Sequence, residues 1–193
     1  MPRAADAASY PAHDDHPTES IAIAVDPYDT AQKASLFNTR YLERDILPMF
    51  FVVSNRSPRM VTLGDINVQL VLRDRTKIWP AEEEDIYRRF TRGARDSSGV
   101  SRLPLPVPVP HGSKAGAPKE LAEELQASRF HASEVEPGAT RSGFLFFDVS
   151  GTPRPLAGAH LYVTGVRDNG GNELMFFDIP LDNYLAASPN TKQ

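Results

Sequence analysis

The sequence has no cysteine, only one tryptophan among its 193 residues, and no long apolar run. Without cysteine, disulfide bonds, thiolate metal sites and cysteine nucleophiles are excluded. A membrane-spanning helix needs a run of about 18 apolar residues, and none occurs here. The G-x-S-x-G nucleophile elbow and the G-x-x-x-x-G-K-(S/T) phosphate loop are also missing. These absences predict a soluble chain without a transmembrane segment, catalytic residues or a cofactor.

Neither sign of charge is in large excess, since the chain has 21 basic and 25 acidic residues. The formal net charge is −4, which leaves no broad basic field to attract a phosphate backbone, so nucleic acid is not an expected partner. The 17 prolines outnumber the 12 glycines, and proline disfavours long helices while it suits turns and edge strands. With 40% apolar and 24% charged residues, the composition is that of a globular protein that leans towards β structure.

Apolar patterns predict a mainly β fold with two antiparallel sheets. The run 46–54 is almost continuously apolar, which indicates a strand covered on both faces. In 65–72 apolar residues alternate, so the even-numbered positions should point inward. Asparagine and glycine in 168–172 predict a hairpin turn. Strands are predicted at 20–25, 46–54, 65–72, 143–149, 159–166 and 173–179.

The middle of the chain interrupts this strand pattern. Residues 79–128 form an insertion with two predicted short helices, at 80–89 and 118–126. Between them, every second residue of 103–110 is proline, which predicts an extended strap. The expected organisation is a flexible leader at 1–18, a β-sandwich domain at 19–186 and a flexible tail at 187–193.

Two similar segments near the carboxyl end predict which side chains face the core. Phe-Phe-Asp followed by Val or Ile occurs at 146–149 and again at 176–179. Alternate residues of a strand share a face, so one set should fill the space between the sheets: Leu145, Phe147, Val149, Met175, Phe177 and Ile179. The opposite set is Phe144, Phe146 and Phe176. Three exposed phenylalanines would form a large apolar patch, so we predict that the insertion covers them as a lid.

Residues 135–149 (VEPGATRSGFLFFDV) contain a PG-x-T-x-x-G-(F/Y)-L-x-F pattern. This pattern resembles a widespread group of bacterial immunoglobulin-like domains of unknown function, commonly found in secreted proteins and lipoproteins. Residues 51–58 (FVVSNRSP) resemble the strand, turn and strand unit of the same group. The resemblance implies an immunoglobulin-like two-sheet sandwich in the periplasm or outside the cell, with no catalytic residues to carry over. It also implies a membrane tether if a signal peptide or lipid anchor has been removed.

Two clusters contain metal-binding residue types. His13, Asp14, Asp15 and His16 could together bind zinc, nickel or copper. The alternative is a solvated leader, because nothing is predicted to orient the imidazoles. No metal site is assigned, and whether His13 and His16 bind a metal stays open. The turn 168–172 offers oxygen ligands but lacks the closing glutamate of a calcium loop, which favours the hairpin.

Asp148 and Asp178 occupy equivalent positions in the two similar segments. If their strands were neighbours, the two carboxylates could form the pair of a glycoside hydrolase. The alternative is that both point outward, where they are solvated or paired with arginine. His131 and His160 are single histidines, and we predict a structural hydrogen-bonding role for each.

The expected function is that of a non-enzymatic interaction module that binds another protein or component of the cell envelope. The candidate contact residues are Trp79, Tyr87, Arg88 and Phe90, because aromatic residues and arginine dominate binding hot spots. The alternative for Trp79 and Phe90 is that they anchor the lid by packing. The alternative function is a carbohydrate-active domain, either a sugar-binding module or a hydrolase that uses the carboxylate pair. An exposed row of aromatic rings would favour sugar binding.

Overall fold

The computed structural model describes residues 2–96 and 119–188, and within them the fold is mainly β, with ten strands in three antiparallel sheets. The strands are β1 (His13–His16), β2 (Ile21–Pro27), β3 (Ile46–Asn55), β4 (Val61–Thr62), β5 (Asn67–Val71), β6 (Lys77–Ile78), β7 (Glu134–Val135), β8 (Thr140–Asp148), β9 (His160–Thr164) and β10 (Phe177–Pro180). The α-helices are α1 (Ala31–Ala34), α2 (Glu83–Asp96), α3 (Lys119–Ser128) and α4 (Asp182–Ala187). None of these helices is long and apolar enough to cross a membrane.

The first sheet has the strand order β1-β2-β3-β8. All ten residues of β3 are buried, because β2 and β8 pair with its two edges and both of its faces are covered. This confirms the prediction that the continuous apolar run 46–54 is a strand buried on both sides. The register places Ile23 opposite Val53, and Phe51 opposite Gly143.

The second sheet has the strand order β10-β9-β5-β6. In β5, Val68 and Leu70 are buried while Asn67 and Gln69 face outward, which confirms the predicted inward direction of the even-numbered positions. Strands β4 and β7 form a separate short pair in which Val61 lies opposite Val135.

One apolar core lies between the two larger sheets. Its members from the first sheet include Val25, Met49 and Phe147, and those from the second sheet include Leu161, Phe177 and Ile179. Two antiparallel layers around one core form a β-sandwich. The predicted mainly β fold class is therefore confirmed, while the immunoglobulin-like topology stays a prediction.

A second apolar cluster lies on the other face of the first sheet. Phe144 and Phe146 are buried there under three apolar side chains of the insertion: Ile86, Leu121 and Leu125. The rings of Phe37 and Tyr41 also pack on this pair, each with a centroid distance of 4.8 Å. The prediction that the insertion covers these two phenylalanines is confirmed.

The same prediction is wrong for Phe176, which is 51% exposed, and for Met175, which was expected in the core and is 69% exposed. Both precede β10, which begins only at Phe177. Leu174 instead donates a backbone hydrogen bond to Val166 O, 2.8 Å away. Because residues 174–176 do not continue the ladder with β9, the strict alternation of faces does not apply to them.

The lid and the residues that directly follow it also contact the backbone edge of β8. Ala81 N donates to Phe146 O at 2.7 Å, and Phe130 N donates to Phe144 O at 3.0 Å. Gly143 allows this approach, because a Cβ at its position would lie 2.5 Å from Phe130 Cα. Helix α2 begins at Glu83 rather than at residue 80, since Pro80 forms a bridge with Phe147. The proline strap predicted at 103–110 lies outside the described residues.

The flexible leader predicted at 1–18 is wrong for most of its length. Strand β1 pairs with β2 along His13–His16, and a 3-10 helix, Ala7–Ser9, precedes it. Ala7 and Ala12 are fully buried, and Ala7 N donates to Ser54 Oγ at 2.9 Å. The leader was predicted to be flexible because it has few large apolar side chains. Backbone pairing and small buried alanines hold it in place instead, so the domain begins before residue 19. Of the predicted tail 187–193, residues 189–193 lie outside the described part.

Candidate functional site

A groove of about 850 Å³ opens where the start of α2 meets β6 and the end of β8. Trp79 lines it and is 54% exposed. The backbone on both sides of this residue is fixed, because β6 pairs with β5 before it and Pro80 bridges to Phe147 after it. The indole is therefore presented to solvent from a rigid frame, and we call this feature the Trp79 groove.

Charged side chains surround the indole. Arg88 pairs with Asp85, and Arg89 pairs with Asp148. Those four charges cancel in pairs. The remaining charged residues of the lining are Arg44, Lys77 and Glu82, and none of the three forms an ion pair within residues 2–96 and 119–188. The groove thus has a surplus of one positive charge, next to an exposed aromatic ring.

The structure separates the four predicted contact residues into two groups. Trp79 and Arg88 line the groove, whereas Tyr87 and Phe90 pack against the covered cluster. The Phe90 ring lies 5.8 Å from the Tyr41 ring, centroid to centroid. Tyr87 OH donates to Glu83 Oε2 at 3.1 Å, and burial together with this contact raises the pKa of the phenol. Only Trp79 and Arg88 are placed where a partner could touch them together.

The four residues of β1 do not converge on one point. Alternate residues of a strand face opposite ways, and accordingly Asp14 accepts a hydrogen bond from Asp178 N at 2.8 Å while Asp15 pairs with Arg56. His16 stacks on Phe177 with a centroid distance of 4.0 Å, and its Nε2 lies 3.4 Å from Asp14 Oδ2, whereas His13 Nδ1 lies 2.6 Å from Tyr10 O. No group of three metal-ligating side chains is present within the described ranges.

Asp148 and Asp178 are not brought together. Asp148 ends β8 on the lid side of the first sheet, where it pairs with Arg89. Asp178 lies in β10, where its Oδ1 is 2.7 Å from His160 Nδ1. The two carboxylates lie on opposite outer sides of the sandwich, and stacked sheets are about 10 Å apart. The hypothesis of a hydrolase pair is therefore wrong, and His160 has the predicted hydrogen-bonding role.

The turn at 168–172 behaves as a hairpin turn. Asp168 Oδ1 accepts from Gly170 N at 2.8 Å and from Asn172 N at 2.9 Å. Hydrogen bonds from Asn172, and then that of Gly170, lower the pKa of the Asp168 carboxyl. The carboxylate is thus used to stabilise the turn.

The sequence patterns did not predict a second surface, the outer face of the second sheet. Tyr162 lies directly between Gln69 on β5 and Asp178 on β10. A shallow groove of about 540 Å³ on this face is lined by Asn67, Gln69, Val71, Arg75, Lys77, Tyr162 and Thr164. The sequence does show polar residues at alternate positions of these strands. Only the pairing register of β5, β9 and β10 shows that their side chains are neighbours on one face.

The Trp79 groove contains no histidine, serine or cysteine nucleophile in its lining. No family model, no curated protein and no solved structure matches the chain. An exposed indole among charged groups can bind a partner by stacking, cation–π contact and ion pairing.

Proposed function

We propose that the protein is a non-enzymatic interaction module and that its Trp79 groove binds a partner protein through an acidic segment. The exposure of Trp79 carries this proposal. A large ring that is 54% exposed loses much of the stabilisation that burial would give it, whereas aromatic residues in grooves are frequent binding hot spots. An extracytoplasmic location is part of the proposal, and its support is the resemblance of residues 135–149.

The charges of the groove support an acidic partner. Arg44 and Lys77 are both exposed and both line the groove, and neither is neutralised by an ion pair in the described parts of the chain. A carboxylate of the partner could pair with either cation while an adjacent apolar side chain packs on Trp79. Such surface pairs affect specificity and association rate more than affinity, so the ring is expected to supply most of the binding free energy.

A random peptide library displayed on phage and selected on the full chain tests the proposal. We expect enriched peptides with aspartate or glutamate next to an apolar residue. Trp79→Ala should weaken binding of the synthetic peptides at least about tenfold, because truncation of a hot-spot residue costs more than about 1.4 kcal/mol. Lys77→Ala should weaken binding about two- to fivefold at low salt and less at high salt.

Phe176→Ala is the matched control, because Phe176 is similarly exposed, at 51%, and precedes β10 at the opposite edge of the second sheet from β6 and Trp79. It should leave peptide affinity unchanged. The proposal is overturned if no peptide is enriched, or if the enriched peptides bind the Trp79→Ala and Phe176→Ala variants with equal affinity.

A further inference from the structure

Three rings lie in a row on the outer face of the second sheet. The centroid of Tyr162 is 6.1 Å from that of His160 and 6.1 Å from that of Phe176. The planes of neighbouring rings differ by 22° and 35°. Phe176 is 51% exposed, and the His160 side chain is 39% exposed. The row therefore forms a stepped aromatic platform in which Phe176 is exposed while His160 and Tyr162 are half-buried.

Hydrogen-bonding groups flank this platform: amides and a hydroxyl along most of the groove, with Arg75 and Lys77 also in its lining. Gln69 lies opposite Tyr162, and Asn67 lies opposite Thr164. Gln69 Nε2 donates to Asn67 Oδ1 at 3.0 Å, which holds the two amides in a defined orientation. The Gln69 carbonyl, the Asn67 amino group and the Thr164 hydroxyl form no hydrogen bond with the described residues. Donors and acceptors thus alternate along one side of the rings.

A fixed carboxylate lies on the other side. Asp178 is directly opposite Tyr162, and its Oδ1 is held 2.7 Å from His160 Nδ1. Partial burial, followed by the nearby Asp178 carboxylate, raises the pKa of the Tyr162 hydroxyl. The hydrogen bond between the phenol and this carboxylate adds to the rise in pKa, so the phenol stays protonated at neutral pH.

We propose that this face, formed by the platform of His160, Tyr162 and Phe176 with the side chains of Gln69, Asn67 and Asp178, binds a neutral oligosaccharide. The C–H face of a sugar ring carries weak positive charge and packs on the negative face of an aromatic ring. Its hydroxyl groups both donate and accept, as the amides and the carboxylate require. A row of three rings matches a chain of about three sugar units better than a single sugar.

The distribution of apolar groups favours a sugar over a protein at this surface. Protein interfaces have an apolar centre and a polar rim. Here the centre is the row Gln69, Tyr162 and Asp178, and the most exposed apolar side chains, Phe176 and Met175, precede β10 at one end.

Affinity gel electrophoresis of the full chain in gels that contain soluble neutral polysaccharides tests this inference. The probes are a mixed-linkage β-glucan, xylan, galactomannan and dextran, each in a separate gel. At least one should retard the protein. Titration calorimetry with the matching mono- to hexasaccharides should then show affinity that rises up to about the trisaccharide and changes little beyond it.

Tyr162→Ala and Phe176→Ala should each weaken the binding at least about tenfold, and Tyr162→Phe should retain it within about threefold. The exposed position of Phe176 makes its variant informative even if Tyr162→Ala is unstable. Trp79→Ala should bind sugar as the unchanged protein does, so failure of this inference and failure of the proposed function can be told apart. The inference is overturned if no polysaccharide retards the chain, if Phe176→Ala is retarded equally, or if the selected peptides compete at this face.

Discussion

Gly165 connects β9 to the segment that precedes β10, and its backbone is the most constrained among the described glycines. Its φ is +79°, and a Cβ at this position would lie 2.1 Å from Asp65 O. Gly171 has a similar φ of +81°, but a Cβ added there would meet no heavy atom within 4 Å beyond its chain neighbours. Alanine substitutions at these two glycines therefore distinguish two contributions to the loss of stability. One is the free-energy cost of a left-handed backbone, and the other is the cost of a steric clash.

Gly165→Ala should destabilise the protein by about 3 kcal/mol or more, since strain and displacement of the Asp65 backbone add. Gly171→Ala should cost only about 1 to 2 kcal/mol, the penalty of the left-handed region alone. Urea unfolding followed by circular dichroism measures both values. Equal losses in the two variants would show that the close approach to Asp65 does not contribute.

Individual residues also show why some assignments could not be made from sequence. Val68 and Leu70 were placed correctly because alternation with Asn67 and Gln69 is a local signal. The row of His160, Tyr162 and Phe176 has no such signal, because the last ring lies 14 residues beyond Tyr162 in the sequence. Its position depends on the point at which β10 begins, and long-range pairing determines that point.

At the scale of elements, α3 is the best test of the lid. Leu121 and Leu125 are four residues apart on one face of the helix, and both are buried against the second apolar cluster. The carboxylate of Glu124, next to them in the sequence, accepts from Asn38 N at 2.6 Å. The helix is thus held by apolar burial and by a contact with the loop after α1.

Leu125→Ala should lower the free energy of unfolding by about 2 to 5 kcal/mol, because it removes a fully buried side chain and leaves a cavity. Partial release of the lid should also expose Phe144 and Phe146 and increase the fluorescence of the dye ANS. Leu36→Ala is the control, since Leu36 is 45% exposed, and it should change stability by less than about 0.5 kcal/mol. A Leu125 variant as stable as this control would contradict the packing of α3 on the sheet.

The lid was predictable as an element because both helices carry apolar residues four apart and the phenylalanines on β8 needed cover. Strand β1 was not predictable in the same way. Its sequence, His-Asp-Asp-His, has no apolar period, and all four residues are partly buried. Its formation depends on backbone hydrogen bonds to the edge of β2, which any polar sequence can make, so composition alone indicated a solvated leader.

At the scale of the whole molecule, β1 connects the two sheets along one side of the sandwich. It pairs with β2 in the first sheet, while Asp14 accepts from Asp178 N in the second sheet at 2.8 Å. His16 adds a ring contact with Phe177. The amino-terminal residues therefore link the layers from outside, in addition to the core between them.

Asp14→Ala should destabilise the protein by about 1.5 to 3 kcal/mol, because the change leaves Asp178 N without its charged acceptor and also removes the contact between Asp14 and His16. Asp15→Ala is a closely matched control: the side chains of Asp14 and Asp15 are 27% and 29% exposed, but Asp15 only forms a surface ion pair with Arg56. Its loss should cost at most about 1 kcal/mol. Chemical denaturation of both variants at neutral pH gives the comparison, and equal stabilities would refute the link between sheets through Asp14.

The hydrogen bonds that Ala81 and Phe130 donate to β8 have a consequence for recognition. The carbonyl groups of Phe144 and Phe146 already have acceptor roles within the chain, so an incoming peptide cannot extend the first sheet there by adding a strand. A partner that binds at this edge of β8 must therefore be recognised through side-chain contacts. Its selectivity then depends on a few exposed rings and charges, which can change in evolution without any change to the fold.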